Sequence, residues 1–98
     1  MLDIQALDDD DPFEVDTQHA HLFKHPNLGL DDVREVWLAD PLFYPASPPA
    51  DWLMVAEVAG SVLVVPLAPA HSGLSTKCRP IGCYTASTAL AKRYRSDR

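Results

Sequence analysis

The sequence has little of three things: long apolar runs, cysteine and positive charge. It contains no run of about 18 apolar residues, so it predicts no membrane-spanning helix. The two cysteines, Cys78 and Cys83, are separated by an odd number of positions. On one strand this separation points them to opposite faces, which predicts buried thiols rather than an internal disulfide. Eight lysines and arginines against fourteen acidic residues lack the basic surplus that is usual in nucleic-acid binders.

The charges that are present are segregated along the chain. Residues 1–40 hold eleven acidic residues against Lys24 and Arg34, whereas residues 77–98 hold six basic residues against Asp97. A basic surplus can therefore come only from the carboxy-terminal segment, and the remainder of the chain would on balance repel phosphate.

The amino-terminal segment is dominated by the aspartate run Asp8–Asp11. Such a run repels itself and is typical of a solvated segment. We therefore expect residues 1–11 to form an acidic flexible tail and residues 12–98 to form a single domain. The acidic start is unlike a secretory signal, so we expect a cytoplasmic protein with no membrane partner.

The most apolar stretch, Trp52–Leu67, predicts a β-hairpin. Two runs rich in β-branched residues flank Ala59-Gly60-Ser61, a turn signal. The runs are nearly continuous in apolar character, which favours a position in the middle of a sheet with a helix on at least one face. Because Pro66 lacks an N–H, we expect the second strand to end, bulge or meet an edge there.

Capping residues, prolines and hydrophobic periodicity predict the other elements. They are a helix at Thr17–Lys24, a helix at Leu30–Leu38, a strand at Leu42–Tyr44, a strand at Cys78–Tyr84 and a helix at Ala86–Arg95. The predicted class is α+β, with two N-terminal helices, an antiparallel three- to four-stranded sheet and a C-terminal helix.

Four segments, in order, resemble the BrnT-like toxins of type II toxin–antitoxin modules, small ribonucleases of RelE-like fold. They are Phe13–Asp16, His21–His25, Asp31–Val36, and the hairpin followed by Arg79-Pro80-Ile81 and Lys92-Arg93-Tyr94-Arg95. The chain departs from the family pattern at Glu57, where a cation is usual, at Cys83-Tyr84, where Ala-Arg is usual, and at His25-Pro26, where His-Gly is usual.

The resemblance implies an endoribonuclease that cleaves mRNA without a metal or other cofactor and is neutralised by a partner antitoxin. Such chemistry needs a group that titrates near neutrality, fixed cations and a proton donor. His25 is the candidate base or acid, Lys24 and Arg79 would bind the scissile phosphate, and Tyr84 would donate a proton or stack on a base. Flanking RNA would bind the basic side chains of the last helix, namely Lys92, Arg93 and Arg95.

Two alternatives stay open. The first is a module of the same fold that has lost cleavage and acts through a protein partner or as a small regulatory subunit. In either case the chain could form a homodimer or a hetero-oligomer with the antitoxin. It predicts that Glu57 points into the suspected cleft. The second is a metal site at His21 and His25, which have i, i+4 spacing but lack a third ligand fixed by a motif. The aromatic side chains predicted to anchor the core or an interface are Trp37, Phe43, Tyr44 and Trp52.

Overall fold

A computed structural model of the chain describes residues 1–14 and 28–98. The elements are a 3-10 helix at Ile4–Ala6, α1 at Leu30–Leu38, β1 at Leu42–Pro45, β2 at Trp52–Val58, β3 at Ser61–Pro69, β4 at Cys78–Pro80, β5 at Tyr84–Thr85 and α2 at Thr88–Asp97. The α+β class is confirmed. The predicted helix at Thr17–Lys24 lies outside the described residues.

The predicted hairpin forms the centre of an antiparallel sheet. β2 and β3 pair along their full overlap, from Trp52 opposite Leu67 to Val58 opposite Ser61. β1 flanks β2 and β4 flanks β3, in the order β1-β2-β3-β4, and β5 pairs with β3 beyond the end of β4. The position expected in the middle of the sheet is therefore confirmed, and helices pack on both faces.

On one face of the sheet, α1 covers the larger part of the core. Gly29 precedes the helix and donates its N–H to the Asp32 carboxylate at 2.8 Å, which satisfies one amide at the helix start. Val33 and Val36 are fully buried against the sheet. The helix ends before Asp40, which has a positive φ of 57°, and Pro41, which lacks the N–H needed to continue the helix.

On the opposite face, α2 packs on a smaller core. Its buried members are Tyr44, Val55, Val62, Val64 and Tyr94. Register explains this set, because alternate residues of β2 and β3 point to the face opposite to α1. Within the described part of the chain, no helix is long and apolar enough to cross a membrane.

The predicted strand at Cys78–Tyr84 is instead two short strands separated by a bulge. Leu67 faces Pro80 and Val64 faces Tyr84, so three steps along β3 correspond to four steps along its partner. One extra residue is therefore inserted. The interruption lies beside Pro66, whose backbone has no N–H to offer a regular neighbour. β3 itself continues through Pro66 to Pro69, so the irregularity expected at this proline appears on the partner strand instead.

The bulge also changes the prediction for the cysteines. An extra residue reverses the alternation of side chains, so Cys78 and Cys83 both join the core under α1 rather than opposite faces. Both are free thiols. The positions on β3 that lie beside the two cysteines are about four residues apart, which corresponds to roughly 13 Å along the strand. Burial raises the pKa of Cys78 to about 12 and that of Cys83 to about 11. The predicted buried thiols are confirmed, but for a different geometric reason.

Residues 1–11 differ from the flexible tail expected from their aspartates. Leu2 and Leu7 are 8% and 6% exposed and belong to the core under α1. The Leu2 carbonyl accepts the indole N–H of Trp52 at 2.7 Å, and the Leu2 N–H is donated to the Asp51 carboxylate at 2.7 Å. Asp8–Asp11 are exposed, as expected. The apolar residues around the run fix the segment to the domain.

Candidate functional site

The predicted RNA-binding residues lie on α2, which is fixed by a cap and a buried anchor. Ser87 accepts the N–H of Leu90 at 3.2 Å and caps the start of the helix. Tyr94 is 3% exposed and packs on the sheet. Arg93 and Arg95, one position to either side of Tyr94, therefore flank the buried face of the helix.

Arg95 forms an ion pair with Glu57 of β2. Glu57 Oε1 accepts hydrogen bonds from Nε of Arg95 at 3.3 Å and from Nη2 at 3.2 Å. Glu57 reaches α2 because it faces Val62 in register, on the side of the sheet that α2 covers. A pair this exposed contributes at most about 1 kcal/mol to stability. The pair matters more for ligand binding, because it places a carboxylate beside the guanidinium that was expected to bind phosphate.

Arg93 also contacts a carboxylate. Its Nε lies 3.6 Å from Oδ2 of Asp97, one helical turn further on, and its guanidinium carbon lies 4.6 Å from the ring centroid of Tyr44. The same Asp97 oxygen accepts the hydroxyl of Tyr44 at 2.8 Å. Burial and the nearby Asp97 raise the pKa of Tyr44. The cation, the ring and the carboxylate thus form a local cluster on β1 and α2.

The other two cations of the α2 segment, Lys92 and Arg98, form no ion pair with a carboxylate among the described residues. Arg98 lies over the ring of Tyr94, with 5.7 Å between its guanidinium carbon and the ring centroid. Lys92 is exposed and forms no ion pair with any residue in the described ranges. Of the three predicted RNA-binding residues, Lys92 alone carries a charge without a carboxylate close by in this part of the chain.

Arg79 lies on β4, away from the α2 cluster. It faces Ala68 in register, and its Nε is buried without a hydrogen-bond partner. β4 and β1 are opposite edges of the four-strand order, so strand spacing alone separates Arg79 from Tyr44 by roughly 14 Å. Arg79 and the Tyr44 ring that Arg93 contacts are therefore three strand spacings apart in the sheet.

Tyr84 lies on β5 and lines a groove of about 430 Å³ that also contains Pro49, Leu53, Pro66 and Ile81. The groove is largely apolar. Burial raises the pKa of Tyr84, so its hydroxyl keeps its proton at neutral pH. The predicted role of Tyr84 as a proton donor or stacking partner stays a prediction.

Lys24 and His25, the remaining two predicted catalytic residues, lie outside the described residues, as does His21. The prediction that His25 acts with Arg79 is therefore not tested. In residues 1–14 and 28–98, no group of three or more His, Cys, Asp or Glu side chains is arranged to hold a metal ion.

Sequence reasoning identified the cations but missed one of their partners. Asp97 follows Arg93 at i+4, a spacing that predicts a helical ion pair. Glu57 was singled out as a departure from the family pattern, but its contact with Arg95 spans 38 positions and depends on how α2 packs. Comparison of the chain with protein-family models, with curated proteins and with solved structures gives no match.

Proposed function

We propose that this chain is a protein-binding or regulatory module of BrnT-like architecture in which ribonuclease activity has lapsed, and that it acts in the cytoplasm. The observation that carries the proposal is the ion pair between Arg95 and Glu57. A phosphate group would have to displace or approach the Glu57 carboxylate to reach this guanidinium. Electrostatic repulsion at this short range opposes binding of a polyanion.

Two further features support the same proposal. Arg93 forms an ion pair with Asp97, so two of the three predicted RNA-binding cations already contact carboxylates. Arg79 belongs to the opposite sheet edge from Tyr44, and a transition state for phosphoryl transfer needs its cations within hydrogen-bond reach of one phosphate. The positions of Arg79 on β4 and of Arg93 beside Tyr44 on β1 oppose such an arrangement.

The second candidate is a toxin of a type II toxin–antitoxin system, an endoribonuclease that cleaves mRNA without a metal and is silenced by an antitoxin. The observation that favours it is the buried Nε of Arg79, which has no partner among the described residues. A guanidinium fixed on a strand with unused donor capacity suits recognition of an anionic oxygen.

Incubation of stoichiometric purified protein with single-stranded RNA, with and without a chelator, separates the two candidates. The lapsed module predicts intact RNA in both conditions. Cleavage that persists in chelator and disappears in His25→Ala would overturn the proposal and establish the second candidate.

A matched pair of variants tests the electrostatic explanation directly. Glu57→Gln removes the carboxylate that contacts Arg95, whereas Glu35→Gln removes an equal charge from the exposed surface of α1. If the carboxylate blocks phosphate, Glu57→Gln tightens RNA binding in a filter-binding assay by about fivefold or more, the effect of roughly 1 kcal/mol. Equal effects of the two variants would show that only net charge matters.

A further inference from the structure

The surface at the end of α1 carries a second groove, of about 410 Å³. It is lined by Asp9, Trp37, Leu38, Asp40, Pro41 and Phe43. The residues come from three separate segments: the amino-terminal segment, the end of α1 and the start of β1. The groove lies on the face of the sheet opposite to α2, so it is separate from the cationic cluster discussed above.

The apolar floor of this groove is partly exposed and is held by contacts with the amino-terminal segment. The ring of Trp37 packs edge-on against Phe13, with 5.8 Å between centroids, and its indole N–H is donated to the Asp9 carbonyl at 3.2 Å. Beside it, Leu38 is 76% exposed. A large apolar side chain this exposed, next to a fixed aromatic ring, is typical of an anchor point for another chain.

The rim of the groove is negative. Asp9 and Asp40 both line it, and Asp8, Asp10 and Glu35 are exposed on the same two segments. Asp40 is also unfavourable for the fold, because it has φ 57° just after the carboxyl end of α1. The left-handed conformation and the negative end of the helix dipole each cost up to about 1 kcal/mol for an aspartate there. Asn would relieve the electrostatic cost.

We propose that this groove docks a cationic segment of another protein, in which one large apolar side chain is flanked by lysine or arginine. The proposal rests on the proposed function, since it names the class of partner that a protein-binding module would take. The apolar side chain contacts Leu38, Trp37 and Phe43, and the flanking cations pair with Asp9 and Asp40. Charge complementarity selects a basic segment and repels nucleic acid from this face.

The test uses the full chain and two synthetic peptides, one with a central leucine flanked by lysines and one with the lysines replaced by glutamates. Binding is followed by tryptophan fluorescence, since Trp37 is in the groove. The lysine peptide binds and the glutamate peptide does not. Leu38→Ser weakens binding by about fivefold or more, whereas Leu74→Ser, at a leucine 57% exposed outside the groove, leaves it unchanged.

Asp40→Asn distinguishes a binding role from a structural one. It removes the charge from the groove while relieving the unfavourable helix end, so it weakens peptide binding and raises the free energy of unfolding. A purely structural residue would move both quantities in the same direction. Asp31→Asn, which removes the same charge from the first turn of α1, has the smaller effect on peptide binding.

Three outcomes of the peptide experiments would overturn the inference: no binding of the lysine peptide at about 1 mM, equal binding of the two peptides, or unchanged binding in both Leu38→Ser and Asp40→Asn. Salt-sensitive self-association that is lost in Leu38→Ser would assign the groove to a second copy of this chain and would also overturn it. Failure here is distinguishable from failure of the proposed function, which depends on RNA cleavage. Intact RNA without peptide binding rejects only the groove.

Discussion

At the scale of single residues, Tyr94 connects the sheet to α2. β1 begins at Leu42, opposite Val55, so β2 extends beyond its neighbour and Glu57 has no partner on that side. The Glu57 N–H is donated to the Tyr94 hydroxyl at 3.3 Å instead. A helix side chain thus completes the hydrogen bonding of a strand end, and it also positions the residue whose carboxylate contacts Arg95.

Tyr94→Phe keeps the ring and removes this hydroxyl. The Glu57 N–H then loses its partner, and we expect the free energy of unfolding to fall by about 1 kcal/mol. Urea denaturation with unchanged slope measures this value. Tyr84→Phe is the control, because Tyr84 is 36% exposed and its hydroxyl has no hydrogen-bond partner within the described residues. Equal values for the two variants would contradict the prediction.

Residue identity alone did not predict which cations are available for a ligand. Lys92, Arg93 and Arg95 look equivalent in the sequence, but the structure separates them by their neighbours. The Arg93 contact is local and follows from helical spacing. The Arg95 contact depends on strand register, which places Glu57 on the α2 side of the sheet, and on the packing of α2. The Arg95 contact is therefore a tertiary property, and no local sequence signal predicts it.

At the scale of elements, helical periodicity made α1 predictable, and a turn signal between two apolar runs made the hairpin predictable. The predicted helix at Leu30–Leu38 has the bounds that the structure shows. The strand at Cys78–Tyr84 was less predictable, because Pro80 and Gly82 weaken the strand pattern without fixing where an extra residue is inserted. The cause of the insertion lies on the neighbouring strand, at Pro66. The prediction that the cysteines point to opposite faces was wrong for this reason, since it assumed unbroken alternation.

The turn of the hairpin is not optimal for its residues. Ala59 adopts φ 51° and Gly60 adopts φ 85°, and the left-handed conformation is unfavourable for alanine by roughly 1 kcal/mol. Ala59→Asn therefore raises the free energy of unfolding by about 0.5–1 kcal/mol, because Asn tolerates this conformation. Thermal or urea unfolding measures the gain. Gly60→Ala, the opposite exchange at the adjacent position, lowers stability; a stabilising effect there would contradict the turn assignment.

At the scale of the whole molecule, the acidic and basic segments of the sequence lie on opposite faces of the sheet. The acidic segments around Leu2, Leu7 and α1 pack on one face, and the basic helix α2 packs on the other. The two faces therefore favour partners of opposite charge. A groove with an acidic rim opposite to a partly neutralised basic face suits a protein partner better than RNA.

This arrangement requires that the amino-terminal segment is part of the folded domain. Leu7 is 6% exposed within the core under α1, so Leu7→Ala leaves a cavity and lowers the free energy of unfolding by at least about 2 kcal/mol. Leu74→Ala, at a leucine 57% exposed, is the matched control and changes stability by less than about 0.5 kcal/mol. Equal small effects would mean that residues 1–11 behave as the free acidic tail suggested by their composition, and the groove at Asp9 would lose one of its walls.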